Sequence, residues 1–243
     1  MAGHAEQSKA EAVADQINEV LYETVLRTIK KEDEGPRHYY DVGVIGYGGT
    51  AAPALGGVLA GRMLVTSVEL GNNPLRMAID SSEGGTVQRP IWFESRCEGT
   101  TPMQAAMNLA GETISEWIVQ HPDSFPPIVF NITDGASTDG DPRIWAERLR
   151  SLSTSDGNVL LFNLNVSSSG GPEQFLPSTS AGLPDEEANL LFEMSSELPE
   201  YMLPIAEKMG VEVGPGAKGF GYNVKFKQVI SFLKIGTTPT QIT

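Results

Sequence analysis

Apolar residues in the first thirty positions recur at helical spacing. Val13, Ile17, Val20, Leu21, Val25 and Ile29 are separated by acids and amides, which predicts an amphipathic helix over residues 9–31 that ends at Gly35-Pro36. The pattern then changes. Residues 39–47 (YYDVGVIGY) are short, apolar and rich in β-formers, and read as a strand buried on both faces. Residues 50–90 are broken by Gly, Pro and turn dipeptides, with short strand candidates at 63–70 and another at 90–95. A helix follows over 101–120, opened by Thr101 as N-cap and Pro102 as first helical residue. From there strands and helices alternate: strand 128–133 (IVFNIT), helix 144–152, strand 159–166 (VLLFNLNV), helix 185–197, a weaker strand 219–224 and a closing helix 226–234. Loops rich in Ser, Gly or Pro fall at 167–172 and 210–216, but neither separates two complete cores. Alternation of this kind implies a parallel sheet covered by helices on both faces, within one domain spanning residues 1–243.

Composition narrows the partners. A formal net charge of −14, with no basic cluster longer than Lys30-Lys31, argues against nucleic acid or an anionic membrane as ligand. Cys97 is the single cysteine, so no disulfide within the chain and no cysteine-rich zinc site can form. No apolar run reaches the roughly 20 residues of a membrane span, and residues 1–31 lack the features of a signal peptide, which together lead to the expectation of a cytoplasmic protein.

Two stretches carry candidate chemistry. The first is VIGYGGTAAP, in which Gly46, Gly48 and Ala51 satisfy the G-x-G-x-x-G/A dinucleotide pattern, with Glu69 about 20 residues on. A dinucleotide site needs a helix to start inside the glycine motif, and Pro53, Gly56 and Gly57 crowd that place. A nucleotide-binding Rossmann-type protein is therefore the alternative reading. The second is the pair EGTTPMQAAMNLA and PPIVFNITDGASTDGDP, which puts the Thr101 hydroxyl on a loop before a helix and Asp134 at the carboxyl end of a buried strand, where open α/β sheets bind ligands. Read singly, Thr101 is an N-cap and Asp134 a turn former. Together and in this order they suggest a site for a hard cation.

The helix at 9–31, YYDVGVIGY, the T-P-M loop, NITDG and VLLFNLNV together resemble the von Willebrand factor type A (vWA) domains, in particular their intracellular bacterial group. The resemblance implies a Rossmann-like, doubly wound, mainly parallel sheet whose carboxyl edge holds a metal-ion-dependent adhesion site built from three loops. The first loop of that family supplies D-x-S-x-S, the second a Thr and the third an Asp. Thr101 and Asp134 match the second and third contributions, with Gly48, Gly49, Gly135 and Ser137 on the rim by position. No D-x-S-x-S occurs in the chain, and the family's first central strand is missing as well. Met1 falls where the Met of the family's D-x-S-G-S-M would stand, so the expectation is an N-terminally incomplete domain that binds Mg²⁺ or Mn²⁺ weakly or not at all. The implied role is a protein-binding module that recognises a partner's acidic side chain, with no catalysis. Family expectation adds a bacterial signalling or stress-response scaffold beside a protein kinase or PP2C-type phosphatase.

Other features have simpler readings. Asp139-Gly140 and Asp141-Pro142 are turn chemistry ahead of a helix and lack the ligand spacing of an EF-hand. His4, His38 and His121 are scattered, with no nucleophile beside them, which leaves a hydrolase unsupported. Trp92, Trp117 and Trp145 read as packing residues.

Overall fold

The computed structural model describes residues 9–31, 33–80, 87–95, 99–166 and 173–224, together with Gln228 and Ser231. The sequence features at Cys97, His4, the 167–172 loop and most of the 226–234 helix lie outside these residues. The fold is mixed α/β, and the chain forms two compact units, Met1–Thr100 and Thr101–Thr243. Among the described residues, no helix is long and apolar enough to cross a membrane.

The first unit begins with helix α1 (Lys9–Thr28). Its buried stripe is Ala14, Asn18, Leu21, Val25 and Thr28, spaced by fours and threes. Val13, Ile17 and Val20, expected on the buried face, are half-buried beside it. An asparagine sits on that stripe because its polar atoms are engaged. Asn18 Nδ2 donates to the carbonyls of Ala14 (2.9 Å) and Phe93 (3.0 Å), and Oδ1 accepts from the Trp92 N–H (2.8 Å). Trp92 is 1% exposed, and its indole Nε1–H donates to the Leu70 carbonyl at 2.7 Å. Leu55, Leu59, Val65, Leu70 and Phe93 complete this core.

The single strand expected over 39–47 is not formed. Two short strands replace it: β1 (Asp41–Val42) and β2 (Ile45–Gly46). β2 turns back on β3 (Ala52–Pro53), and β1 pairs with β4 (Val65–Thr66), both antiparallel. At the break, Gly43 lies against the Met63 backbone, where a Cβ would be 2.4 Å from the Met63 carbonyl oxygen, so only glycine admits this approach. Thr66 then starts helix α2 (Ser67–Asn72) through a reciprocal cap, accepting from the Glu69 N–H while the Glu69 carboxylate accepts from the Thr66 N–H. Arg62 pairs with Glu69, and with the Thr66 donors it brings that carboxyl down to about 2. A hairpin of β5 (Arg76–Asp80) and β6 (Val87–Ile91) closes the unit.

The second unit holds helix α3 (Met103–Gln120), β7 (Ile128–Thr133), α4 (Arg143–Ser151), a small hairpin of β8 (Ser153–Thr154) and β9 (Gly157–Asn158), β10 (Leu160–Asn165), β11 (Gln174–Phe175), α5 (Glu186–Met194), α6 (Leu203–Lys208) and β12 (Phe220–Tyr222). Its sheet runs β11-β12-β10-β7, parallel across β12-β10-β7, with β11 antiparallel at one end. Leu161, Phe162 and Leu164 are fully buried, as the unbroken apolar run of β10 requires of a strand covered on both faces. Asn131 and Asn163 are direct partners in the register and bond side chain to side chain at 2.9 Å; Asn163 Nδ2 donates on to Ser195 Oγ, and Ser195 to the Leu191 carbonyl. This chain of bonds lets three polar side chains sit in the core without an unmet donor.

Candidate functional site

Thr101 and Asp134 both belong to the second unit, and the loops that carry them are joined. The Thr101 N–H donates to Thr138 Oγ1 at 2.9 Å, and the Thr138 N–H returns to the Thr101 carbonyl at 2.9 Å. Asp139 adds a second connection. Its Oδ1 and Oδ2 accept from the N–H groups of Gln104 (3.0 Å) and Ala105 (2.8 Å), in the first turn of α3. Ser137 Oγ donates to the same carboxylate at 2.9 Å.

This arrangement corrects the reading of Thr101 as N-cap. Helix α3 begins at Met103, and no side chain of its own segment caps it. The cap comes instead from Asp139, 34 residues from Ala105 along the chain, on the loop that follows β7. Asp139 is thus more than a turn former ahead of α4; its neighbour Asp141 fills that role, accepting from the Arg143 N–H and side chain. Burial opposes ionisation of Asp139, but the Ala105 and Gln104 N–H groups and the Ser137 hydroxyl outweigh it and hold the carboxyl below its ordinary range. The helix N-terminus, a place that favours negative charge, is filled from within the protein.

Asp134 is exposed directly after β7, and Thr133 shapes the turn that presents it. Thr133 Oγ1 donates to the Gly135 carbonyl at 2.7 Å and accepts from the Gly135 N–H at 3.2 Å. The first turn of α5 brings a residue the sequence did not single out. Glu187 has a buried Oε1 with no hydrogen-bond partner among the described residues, and desolvation, then the nearby Asp185 and Asp134 carboxylates, raise its pKa. The only trace of it in the sequence is the acidic start of the helix, Asp185-Glu186-Glu187, which also has an ordinary capping reason. Asp185 does cap α5, accepting from the Ala188 N–H at 2.8 Å.

Among the rim positions, Gly135 and Ser137 share the second unit with Thr101 and Asp134. Gly48 and Gly49 belong to the first unit, where the Gly49 N–H donates to the Thr100 carbonyl. The donor set for a hard cation is small. Thr101 and Asp134 offer two oxygen-bearing side chains, against the roughly six ligands Mg²⁺ takes, and Asp139 is committed to α3. No group of three His, Cys, Asp or Glu side chains with metal-ligand geometry occurs among the described residues. The residues present do not by themselves make a complete metal site.

The glycine stretch offers no phosphate cradle of the dinucleotide type. Gly46 lies in the β2-β3 hairpin, and the next helical element is a three-residue turn, Gly57–Leu59. A pyrophosphate needs the N-terminus of a full helix at that point. Of the three tryptophans, Trp92 is core as expected. Trp117 and Trp145 are half-buried: Trp117 stacks on His121 at 4.4 Å, and Trp145 carries the Arg148 guanidinium at 4.6 Å from its centroid. The chain matches no family model, no curated protein and no solved structure.

Asp139→Ala is expected to destabilise the second unit by about 1–2 kcal/mol, the range for losing an N-cap, because it leaves two first-turn N–H groups of α3 without their acceptor. The contribution has a defined pH sign. A depressed folded pKa gives stability that is present above the ordinary carboxyl range and is lost as pH falls through the folded value. Urea midpoints at neutral pH and on the acid side should converge for the native chain and Asp139→Ala as the pH is lowered.

Proposed function

We propose that the chain is a protein-binding module of vWA type with a Rossmann-like, doubly wound arrangement, acting through the loops at the carboxyl edge of its parallel strands. The observation that carries this reading is the joining of the Thr101 and Asp134 loops by Thr138 and Asp139. Ligands of parallel α/β sheets are bound where loops leave the carboxyl ends of the strands, and two loops tied by backbone N–H bonds to side chains and to one carbonyl form a platform that need not reorganise on binding. Thr101 and Asp134 are the contacts assigned to a partner, with Gly135 and Ser137 beside them; Gly48 and Gly49 remain rim residues by family position. Mg²⁺ or Mn²⁺ belongs to the reading as an ion these two side chains hold only weakly, its remaining positions filled by water or by a partner's carboxylate. The partner is a protein, and a kinase or PP2C-type phosphatase system in a bacterial cytoplasm is the setting the resemblance implies.

A double-mutant cycle tests the pairing. Thr101→Ala and Asp134→Ala, singly and together, are titrated with Mn²⁺ by calorimetry at high protein concentration. If the two residues share one ion, the double variant loses no more than the more damaging single one. Additive losses, or no loss in either single variant, would overturn the assignment.

A further inference from the structure

Away from the carboxyl-edge loops, α3 and α4 enclose an open groove of about 360 Å³. Along α3 it is lined by Met107, Gly111 and Ser115, with Glu112 and Glu116 on that wall; Trp145, Arg148 and Leu149 of α4, with Leu152 just beyond its end, form the other. The α3 face from 107 to 116 is about 13 Å long at 1.5 Å per residue. Gly111 lines it without a side chain; among the described residues a Cβ there would meet only Leu149 Cδ1, at 4.0 Å. Glycine in the middle of a helix costs about 1 kcal/mol relative to alanine, and among the described residues nothing packed against Gly111 requires it.

The charges are divided between the walls. Glu112 and Glu116 lie one turn apart on α3, and Arg148 projects from α4 across the Trp145 ring. Among the described residues none of the three forms an ion pair, although Arg143 at the start of α4 is paired with both Asp141 and Glu193. Both helices also present large apolar side chains to solvent on this side. Val119, three residues beyond Glu116, is 80% exposed, and Ile144, one turn before Arg148, is 58% exposed.

We propose that this groove is the contact through which two copies of the chain associate about a two-fold axis. In a two-fold contact the same patch meets itself, so residue i of one copy faces residue j of the other and the reverse. A patch with an acidic wall, a basic wall and an apolar centre is complementary to itself, whereas a wall of one sign would call for a foreign partner. Arg148 of each copy then faces Glu112 and Glu116 of the other, while Val119 and Ile144 are withdrawn from water. The proposal stands independently of the carboxyl-edge reading.

Sedimentation equilibrium of the full chain tests it, over about 1 µM to 1 mM, the span of weak to moderate affinities. The native chain is expected to dimerise reversibly. Arg148→Glu alone, or Glu112→Arg with Glu116→Arg, should weaken dimerisation about tenfold or more, through repulsion at both symmetric contacts. Mixing these two proteins in equal amounts should restore a dimer. Val119→Glu, at a position too exposed to affect folding, should also weaken it, and circular dichroism verifies that each variant is folded. A native chain that remains monomeric throughout overturns the proposal, as it would if the groove instead took a foreign helix or a small molecule. It is equally overturned if charge-reversed chains dimerise as well as the native one, or if their mixture does not recover.

Discussion

Trp92→Ala is expected to lower the stability of the first unit by about 4 kcal/mol, the largest effect of any single truncation considered for this protein. The indole is 1% exposed in a core with Leu55, Leu59, Val65 and Leu70, so removing it leaves a cavity that neighbours on short strands and turns can only partly fill. It also removes the shorter of two hydrogen bonds to the Leu70 carbonyl, 2.7 Å from the indole, and leaves that carbonyl only the 3.3 Å bond from the Asn73 N–H. Phenylalanine at the same position separates the two losses: it fills most of the volume and still lacks the Nε1–H. Chemical denaturation followed by near-ultraviolet circular dichroism should rank the chains native, Trp92→Phe, Trp92→Ala. Equal midpoints for the two variants would mean that the hydrogen bond to Leu70 accounts for the whole effect.

Gly219→Ala is the second large expectation, at about 3 kcal/mol, the upper end of the cost of overpacking. A Cβ at this position would lie 2.0 Å from Phe162 Cδ1, and Phe162 is fully buried, edge-on to Phe130 at a centroid distance of 5.7 Å. The Gly219 backbone is fixed on both sides, its N–H donating to the Ser196 carbonyl and its carbonyl accepting from the Asn163 N–H. Neither the ring nor the chain can retreat cheaply. Phe162→Leu removes the obstructing ring atoms, so the double variant should be less destabilised than the sum of the single changes, a coupling read from urea midpoints. Additive losses would mean that the methyl is accommodated without Phe162.

The fold is legible in the sequence where local pattern alone decides an element, and not where a distant backbone does. Strand β7 is expected at residues 128–133 and forms there, because five of its six residues are apolar or β-forming and the segment is bounded by Pro127 and Asp134-Gly135. Helix α5 also lies within its expected range, with Asp185 capping it. The 39–47 segment has the same apolar character but breaks at Gly43, where the chain passes against the Met63 backbone, a long-range contact that no local pattern encodes. Helix α2 was missed although Thr66-Ser67-Val68-Glu69 spells a capping box, a signal masked by the surrounding turn residues.

The site was legible in part. The order of a Thr loop before α3 and an Asp after β7 led to two loops that the fold does join. Which residues join them was not readable, because the nearest hydroxyl, Thr101, is the obvious local cap and Asp139 reaches α3 only in three dimensions. Glu187 was hidden for the same reason: its proximity to Asp134 depends on where the first turn of α5 falls in the folded unit.

Paramagnetic line broadening by Mn²⁺ tests the central claim most directly, because it locates even a weakly held ion. On amide spectra of the full chain, sub-stoichiometric Mn²⁺ should broaden Thr101, Met103 and residues 133–138 before other amides near acidic side chains, and Asp134→Asn should abolish that selectivity. Broadening spread evenly over the acidic surface of a chain with net charge −14, or a pattern unchanged by Asp134→Asn, would contradict the assignment of Thr101 and Asp134 to one site.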